Sequence, residues 1–135
     1  MIRGVHHINF LVRDLDEAVD RYQRLLGVRI DRRDELPGRG VHMARFRAGE
    51  TWIVLVQPTE TDSAPGRHLR EHGEGPFLVS FAVENLELAM ARTNAAAGRE
   101  ICGAERRGLD GWRIADIDTE LGGAVTVQIT EDATR

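Results

Sequence analysis

The chain has 135 residues, 41% of them hydrophobic and 30% charged, which is enough to bury one compact core and keep it in water. Its net charge of −4 gives no electrostatic reason to expect nucleic acid. No apolar run approaches the roughly 20 residues needed to span a bilayer. Cys102 has no partner for an internal disulfide, and Met1-Ile2-Arg3-Gly4 starts the chain without an apolar signal segment, so a reduced, cytoplasmic protein is expected.

From the N-terminus, Val5 to Val12 is β-rich and predicts a strand. Asp14, followed three positions later by Glu17, is an N-cap that satisfies free helix N–H groups, and a helix is expected over 15–26. Its apolar positions Leu15, Ala18, Val19, Tyr22, Leu25 and Leu26 recur at helical spacing, and Gly27 is placed to end it. Three strand-like runs follow, at 28–33, 41–47 and 51–57. Residues 61–75 read as a linker with a short helix over 67–71; its cluster Arg67, His68, Arg70 and His72 is most simply solvated surface, though it also suits a phosphate-bearing ligand. The cluster Arg29, Arg32 and Arg33 reads as solvated surface too.

The remainder repeats the plan. One constant offset carries Val12 onto Val83, Leu15 onto Leu86, Ala18 onto Ala89, Gly27 onto Gly98 and Ile30 onto Ile101. Asn85 becomes the second N-cap, and Leu86, Ala89, Met90, Thr93, Ala96 and Ala97 form the matching stripe of a helix over 86–97. Strands are expected at 100–106, 112–118 and 124–130. The fold class is therefore α+β, with two tandem βαβββ modules (1–60 and 76–135) in a single domain whose curved mixed sheets form a cup.

Strand alternation sorts the side chains. Ile8, Phe10 and Val12 face the first helix, which turns His7 and Asn9 to the opposite face; Trp52 and Val54 join them from the last strand of that module. In the second module Leu78, Ser80, Thr126 and Gln128 have the corresponding parity. Such a mixture of apolar walls and a few polar groups is typical of a small-molecule site. His6 and Gln57 have the wrong parity, His42 reads as an edge-strand surface residue, Arg113 is placed to reach a carboxylate, and Cys102 reads as a small buried hydrophobe.

The run from His7 to Ala18, followed by Tyr22 and Leu25-Leu26-Gly27, resembles the opening of the vicinal oxygen chelate (glyoxalase, bleomycin resistance and dioxygenase) superfamily. Ser63-Ala64-Pro65 and the stretch Leu69 to Gly75 are most similar in pattern to the methylmalonyl-CoA epimerase branch, and Gly122-Gly123 through Gln128-Ile129 resembles the closing strand of the family. The resemblance implies a fold that hosts many chemistries. In members that bind a divalent metal, one ligand comes from the first and one from the last strand of each module, and those four positions fall here on His7, Val54, Leu78 and Gln128. Valine and leucine donate no lone pair, so the metal site is degraded and the expected cofactor is none. The epimerase branch also relies on a Glu at the position of Gln128, which cannot titrate, and on a further Glu that falls at Gly38.

Two function classes follow. One is a metal-independent isomerase- or lyase-type enzyme on a small organic or acyl substrate, with His7 as acid/base and Asn9 and Gln128 as polarising donors. The other is a binder that sequesters a small molecule; metal-dependent epimerase or lyase chemistry is a third reading. Ligand contacts are assigned to Asn9, Trp52, Val54, Leu78, Ser80 and Thr126. The fold's exposed sheet edges, expected near 41–46 and 112–117, favour a homodimer. Light scattering at micromolar concentration is expected to give about twice the chain mass, and a monomer mass would refute the pairing.

Overall fold

The computed structural model describes residues 1–36, 40–118, 121 and 123–134, so Gly38 and Gly122 lie outside the described residues. Contacts divide the chain into two compact units, one of residues 7–77 and one of residues 1–6 with 78–135. Strand β1 (Ile2–Leu11) opens the chain and contributes to both.

In the 7–77 unit β1 is followed by α1 (Leu15–Leu26), β2 (Arg32–Leu36), β3 (Val41–Ala48), β4 (Thr51–Pro58) and α2 (Ala64–His72). The sheet runs β2-β3-β4-β1, with β1 and β4 parallel and the other pairs antiparallel. α1 begins where expected because Asp14 accepts from the Glu17 N–H at 3.0 Å, and it ends on Gly27, whose φ of 66° is one that glycine adopts without steric cost. A second cap was not foreseen: the Gln57 side-chain oxygen takes the Leu15 N–H at 2.7 Å. Val12, Leu15, Ala18 and Val19 pack on Ala44 and Leu55, with Phe10, Tyr22, Ile30 and Ile53 at the margin.

Strand β5 (Gly75–Val83) leads into the second unit, followed by α3 (Leu86–Ala97), β6 (Arg106–Arg107), β7 (Arg113–Ile117) and β8 (Thr126–Glu131). Here the order is β5-β8-β7-β6, with β5 and β8 parallel. Asn85 caps the Leu88 N–H at 2.9 Å, Gly98 closes the helix at φ 71°, and Glu131 takes the Leu86 N–H at 2.9 Å, as Gln57 does for Leu15. Val83, Leu86, Ala89, Ala115 and Ile129 form the core of this unit. The βαβββ plan is thus present twice, down to the side chains that cap the helices.

Several expectations need correction. The apolar stripe of α1 stops at Tyr22; Leu25 and Leu26 are both 65% exposed, because the last turn outruns the strands beneath it. Residues 41–46 are not an edge, since β2 pairs with β3 along its whole length, and β7 is flanked by β6 and β8. The outer strand β2 carries Arg32, Arg33, Asp34 and Glu35, charges that discourage further pairing. The run expected at 100–106 forms only β6 and an isolated bridge between Cys102 and Ile117. The Asn94 side-chain oxygen accepts the N–H groups of Ile101 and Cys102 at 2.7 and 3.1 Å, which diverts those donors from a strand ladder. α2 is longer than expected because Ser63 caps the Gly66 N–H and Pro65 sits in the first turn.

The two caps should be equivalent. Asp14→Ala and Asn85→Ala are each expected to lower unfolding free energy by about 1 kcal/mol. Leu55→Ala, at a site with no exposure, is expected to cost about 2–5 kcal/mol. Chemical denaturation checks all three; a cap variant with no measurable loss would show that the helices do not stand on local capping.

Candidate functional site

The face of the 7–77 unit turned away from α1 is set out by strand register. His7 pairs with Trp52 and Trp52 with Arg47, so these three stand abreast across β1, β4 and β3. The next row is Asn9, Val54, Arg45 and Arg32, and the one after it Leu11, Val56, Met43 and Asp34. The alternate residues Phe10, Ile53, Leu55 and Ala44 lie in the core beneath α1, which fixes the direction of the others. His7, Asn9, Trp52 and Val54 therefore share one face, as the alternation predicts.

This face is more charged than the sequence reading allowed. Arg45 is 1% exposed. Its guanidinium carbon lies 4.6 Å from the centroid of the Trp52 ring, and that of Arg47 lies 3.9 Å from it, so two cations stack on one indole. The Asp34 carboxylate lies 3.5 Å from Arg45 Nε and 3.3 Å from Arg32 Nε. Asn9 is half-buried, and its Oδ1 has no hydrogen-bond partner among the described residues. Arg45 was missed because one arginine in a half-apolar strand is unremarkable alone; the alternation Met43, Arg45, Arg47 against Ala44 and Phe46 was the available signal.

In the second unit Leu78, Ser80, Thr126 and Gln128 lie on the face away from α3, because Phe81, Ile129 and Ala115 occupy the other one. Here the polar groups close on each other. The Ser80 and Thr130 hydroxyls are 2.5 Å apart, and Gln128 Nε2 donates to Asp116 Oδ1 at 2.9 Å. Arg106 holds both oxygens of Asp116, at 2.9 and 3.1 Å. Gln128 is buried, and its Oε1 has no hydrogen-bond partner among the described residues. Thr126 is half-buried beside Leu78. Neither Asp116 nor Arg106 figured in the sequence reading, since their pairing depends on strand register.

The remaining candidates have other partners. His6, fully buried, has its Nε2 2.8 Å from Asp132 Oδ2 and packs edge-on against Trp112. His42 is not on an edge strand; it stands opposite Gln57 and lines a cavity of about 400 Å³ with Leu15, Arg33 and Gln57. Arg113 forks among Glu105, Glu87 and Glu131, which holds the carboxyl of Glu105 below its ordinary range. In the linker Arg67 and Arg70 donate to the backbone carbonyls of Asp62 and Thr61. Cys102 is half-buried and its thiol pKa is pushed up by burial, so it lacks the thiolate character of a nucleophile.

The donor chemistry does not suit a divalent metal. Of the four positions implied by the family pattern, Val54 and Leu78 carry no donor atom, which leaves one imidazole and one neutral amide oxygen, a poor set for a divalent ion. Among the described residues no group of three or more His, Cys, Asp or Glu is arranged to hold an ion. No helix among them is long and apolar enough to cross a membrane.

Residues 6–115 match the family model of the Glyoxalase/Bleomycin resistance protein/Dioxygenase superfamily. The chain is 25% identical over 125 residues to the uncharacterized protein YqjC of Bacillus subtilis (strain 168), a match covering 93% of this chain and 89% of that protein. It superposes on methylmalonyl-CoA epimerase from Mycobacterium tuberculosis with a TM-score of 0.83 and 25% identity, over 98% of this chain and 89% of that one. A variant of Streptomyces coelicolor methylmalonyl-CoA epimerase, in complex with 2-nitronate-propionyl-CoA, superposes with a TM-score of 0.86 and 24% identity, over 98% and 99% of the two chains. The fold of those epimerases is the fold of this chain.

The His6–Asp132 pair gives a pH signature. Burial alone would raise the Asp132 carboxyl, but hydrogen bonds from His6 and from Thr134 outweigh it and hold the pKa below its ordinary value. A depressed carboxyl stabilises the fold above the unfolded pKa of about 3.9, and that stability is lost as pH falls through the lower folded value. Asp132→Asn should therefore cost about 2 kcal/mol at pH 7 and little once the pH lies below the depressed folded value. Melting curves across pH check it; an equal loss at both ends would show that the carboxylate charge plays no part.

Proposed function

Because this chain belongs to the glyoxalase/bleomycin resistance protein/dioxygenase superfamily, we propose that it binds a small organic or acyl molecule without a divalent metal, and that His7 moves a proton on it. The observation that carries this reading is the pair of buried amide oxygens without a donor among the described residues, Asn9 Oδ1 and Gln128 Oε1. Each lies on a face turned away from a helix. A buried acceptor left unpaired costs about 1–3 kcal/mol, so a ligand bearing N–H or O–H groups gains by supplying the donor. Imidazole is the side chain suited to proton transfer near neutral pH, and His7 stands beside Trp52 in the same row. Trp52 and Val54 supply apolar contact on the face of the 7–77 unit; Leu78, Ser80 and Thr126 lie on the corresponding face of the other unit and are proposed as ligand contacts there. The bound propionyl-CoA analogue of the Streptomyces coelicolor relative supports the acyl class.

The aliphatic side chains of Val54 and Leu78 set this reading apart from a metal-dependent epimerase. Sequestration without turnover is the second reading, and Gln128 favours it: an amide does not titrate, so it adds no second acid/base group. The chain is further proposed to act as a homodimer in the cytoplasm.

In D2O, chelator-treated protein is expected to wash deuterium into the α-position of a small acyl thioester, followed by NMR. His7→Gln should slow this exchange at least tenfold, the equivalent of about 1.4 kcal/mol, with the melting temperature nearly unchanged. Exchange abolished by the chelator alone would end the metal-independent reading. Binding without exchange would select sequestration.

A further inference from the structure

We infer that Gln128 forms an acceptor subsite in the second unit, specific for a neutral N–H or O–H group of the ligand. Asp116, held by Arg106, is the positioning residue that sets this preference. The inference rests on the reading above and narrows it, from any small acyl molecule to one that bears an uncharged amide or hydroxyl.

An amide side chain has a donor end and an acceptor end, and a half-turn about its last bond exchanges them. Asp116 removes that freedom. Its two oxygens accept from Nη1 and Nη2 of Arg106, at 2.9 and 3.1 Å, and a carboxylate so engaged can only accept again. Gln128 therefore presents Nε2 to Asp116 Oδ1, at 2.9 Å, and turns Oε1 away from it. The residue is 2% exposed, and Oε1 has no hydrogen-bond partner among the described residues. Register places Ser80 opposite Gln128, but the Ser80 hydroxyl meets that of Thr130 instead.

Charge selects the kind of donor. Asp116 is already paired with Arg106, so an ammonium ion brought to Oε1 would be buried without a counter-ion, and a carboxylate would set oxygen against oxygen. An amide N–H or a hydroxyl carries neither penalty and satisfies the unpaired acceptor. The surroundings suit such a group. Leu78, Ala82 and Ile114 lie on the same face and are buried, which gives apolar walls around one oriented polar atom. The side chains of Arg106 and Asp116 are 40% and 36% exposed, so the buried amide adjoins water on the side of β6 and β7.

The probes are N-methylpropionamide, which keeps an N–H, and N,N-dimethylpropionamide, which keeps none. Each is titrated into isotope-labelled protein, and NMR follows the side-chain amide signal of Gln128, identified by its loss in Gln128→Met. N-methylpropionamide is expected to move that signal saturably and to bind at least tenfold more tightly than the dimethyl probe. In the variants the backbone signal of residue 128 reports instead. Gln128→Met keeps the length of the side chain and removes the acceptor, so it should abolish the discrimination. Asp116→Ala frees the amide to turn, and should bring the two affinities within about threefold with the circular dichroism spectrum intact. Equal binding of the probes to the unaltered protein, a shift that only rises linearly, or discrimination that survives Gln128→Met or Asp116→Ala would overturn the subsite. A Gln128 signal that neither probe moves, in a protein that still catalyses α-exchange, would overturn the subsite and spare the earlier reading. Donor-dependent binding at Gln128 by a protein that catalyses no α-exchange would uphold the subsite and remove proton transfer.

Discussion

The packing of α1 on the row Phe10, Leu55 and Ala44 is the constraint on which the site depends. Ala18, Ala44 and Leu55 have no exposed surface, and the strands beneath them pair residue by residue without a bulge. Because side chains alternate with a period of two, a slip by one residue would bury Asn9, Arg45 and Trp52 against the helix. Arg45, already buried beside Asp34 and Trp52, would there face the apolar side chains under α1 instead, which costs more than the loss of a cap. Register is consequently the most strongly specified property of this unit, and every statement about which side chains are neighbours follows from it.

The two units spend their polar residues differently. In the second, Ser80 answers Thr130, Gln128 answers Asp116, and Arg106 neutralises Asp116, so the charges on that face balance. In the first, one aspartate serves two guanidiniums and a third stacks on Trp52. An internal duplication has thus kept the βαβββ frame while its non-helical faces diverged in chemistry. The residues that would have made a shared metal-binding pattern are aliphatic at Val54 and Leu78, and the positive charge on the first face is carried by arginine.

The repeat also shows where structure tolerates change. Gln57 and Glu131 perform the same task, each accepting the first N–H of its helix, although one is neutral and the other charged. Glu131 can be charged because Arg113 reaches it at 3.0 Å, and Arg113 in turn is held by Glu105 and Glu87. A role that needs only an acceptor oxygen admits both residue types, provided a neighbour supplies the countercharge.

Sequence alone determined the elements governed by short-range physics. Both long helices were legible to the residue because Asp14, Asn85, Gly27 and Gly98 act within one turn of the chain. The shared face of His7, Asn9, Trp52 and Val54 was legible because alternation is a property of each strand by itself. Tertiary structure decided the rest. Of 18 Lys and Arg residues, nothing local marks Arg45 for burial; that required β2, β3 and β4 to align so that Asp34 and Trp52 flanked it. In the same way His6 found Asp132 across 126 positions of chain, and residues 41–46 were withdrawn from the edge by a strand whose pairing sequence could not reveal. Capping and alternation act over a few bonds, whereas charge pairing and edge coverage depend on which distant strands become neighbours.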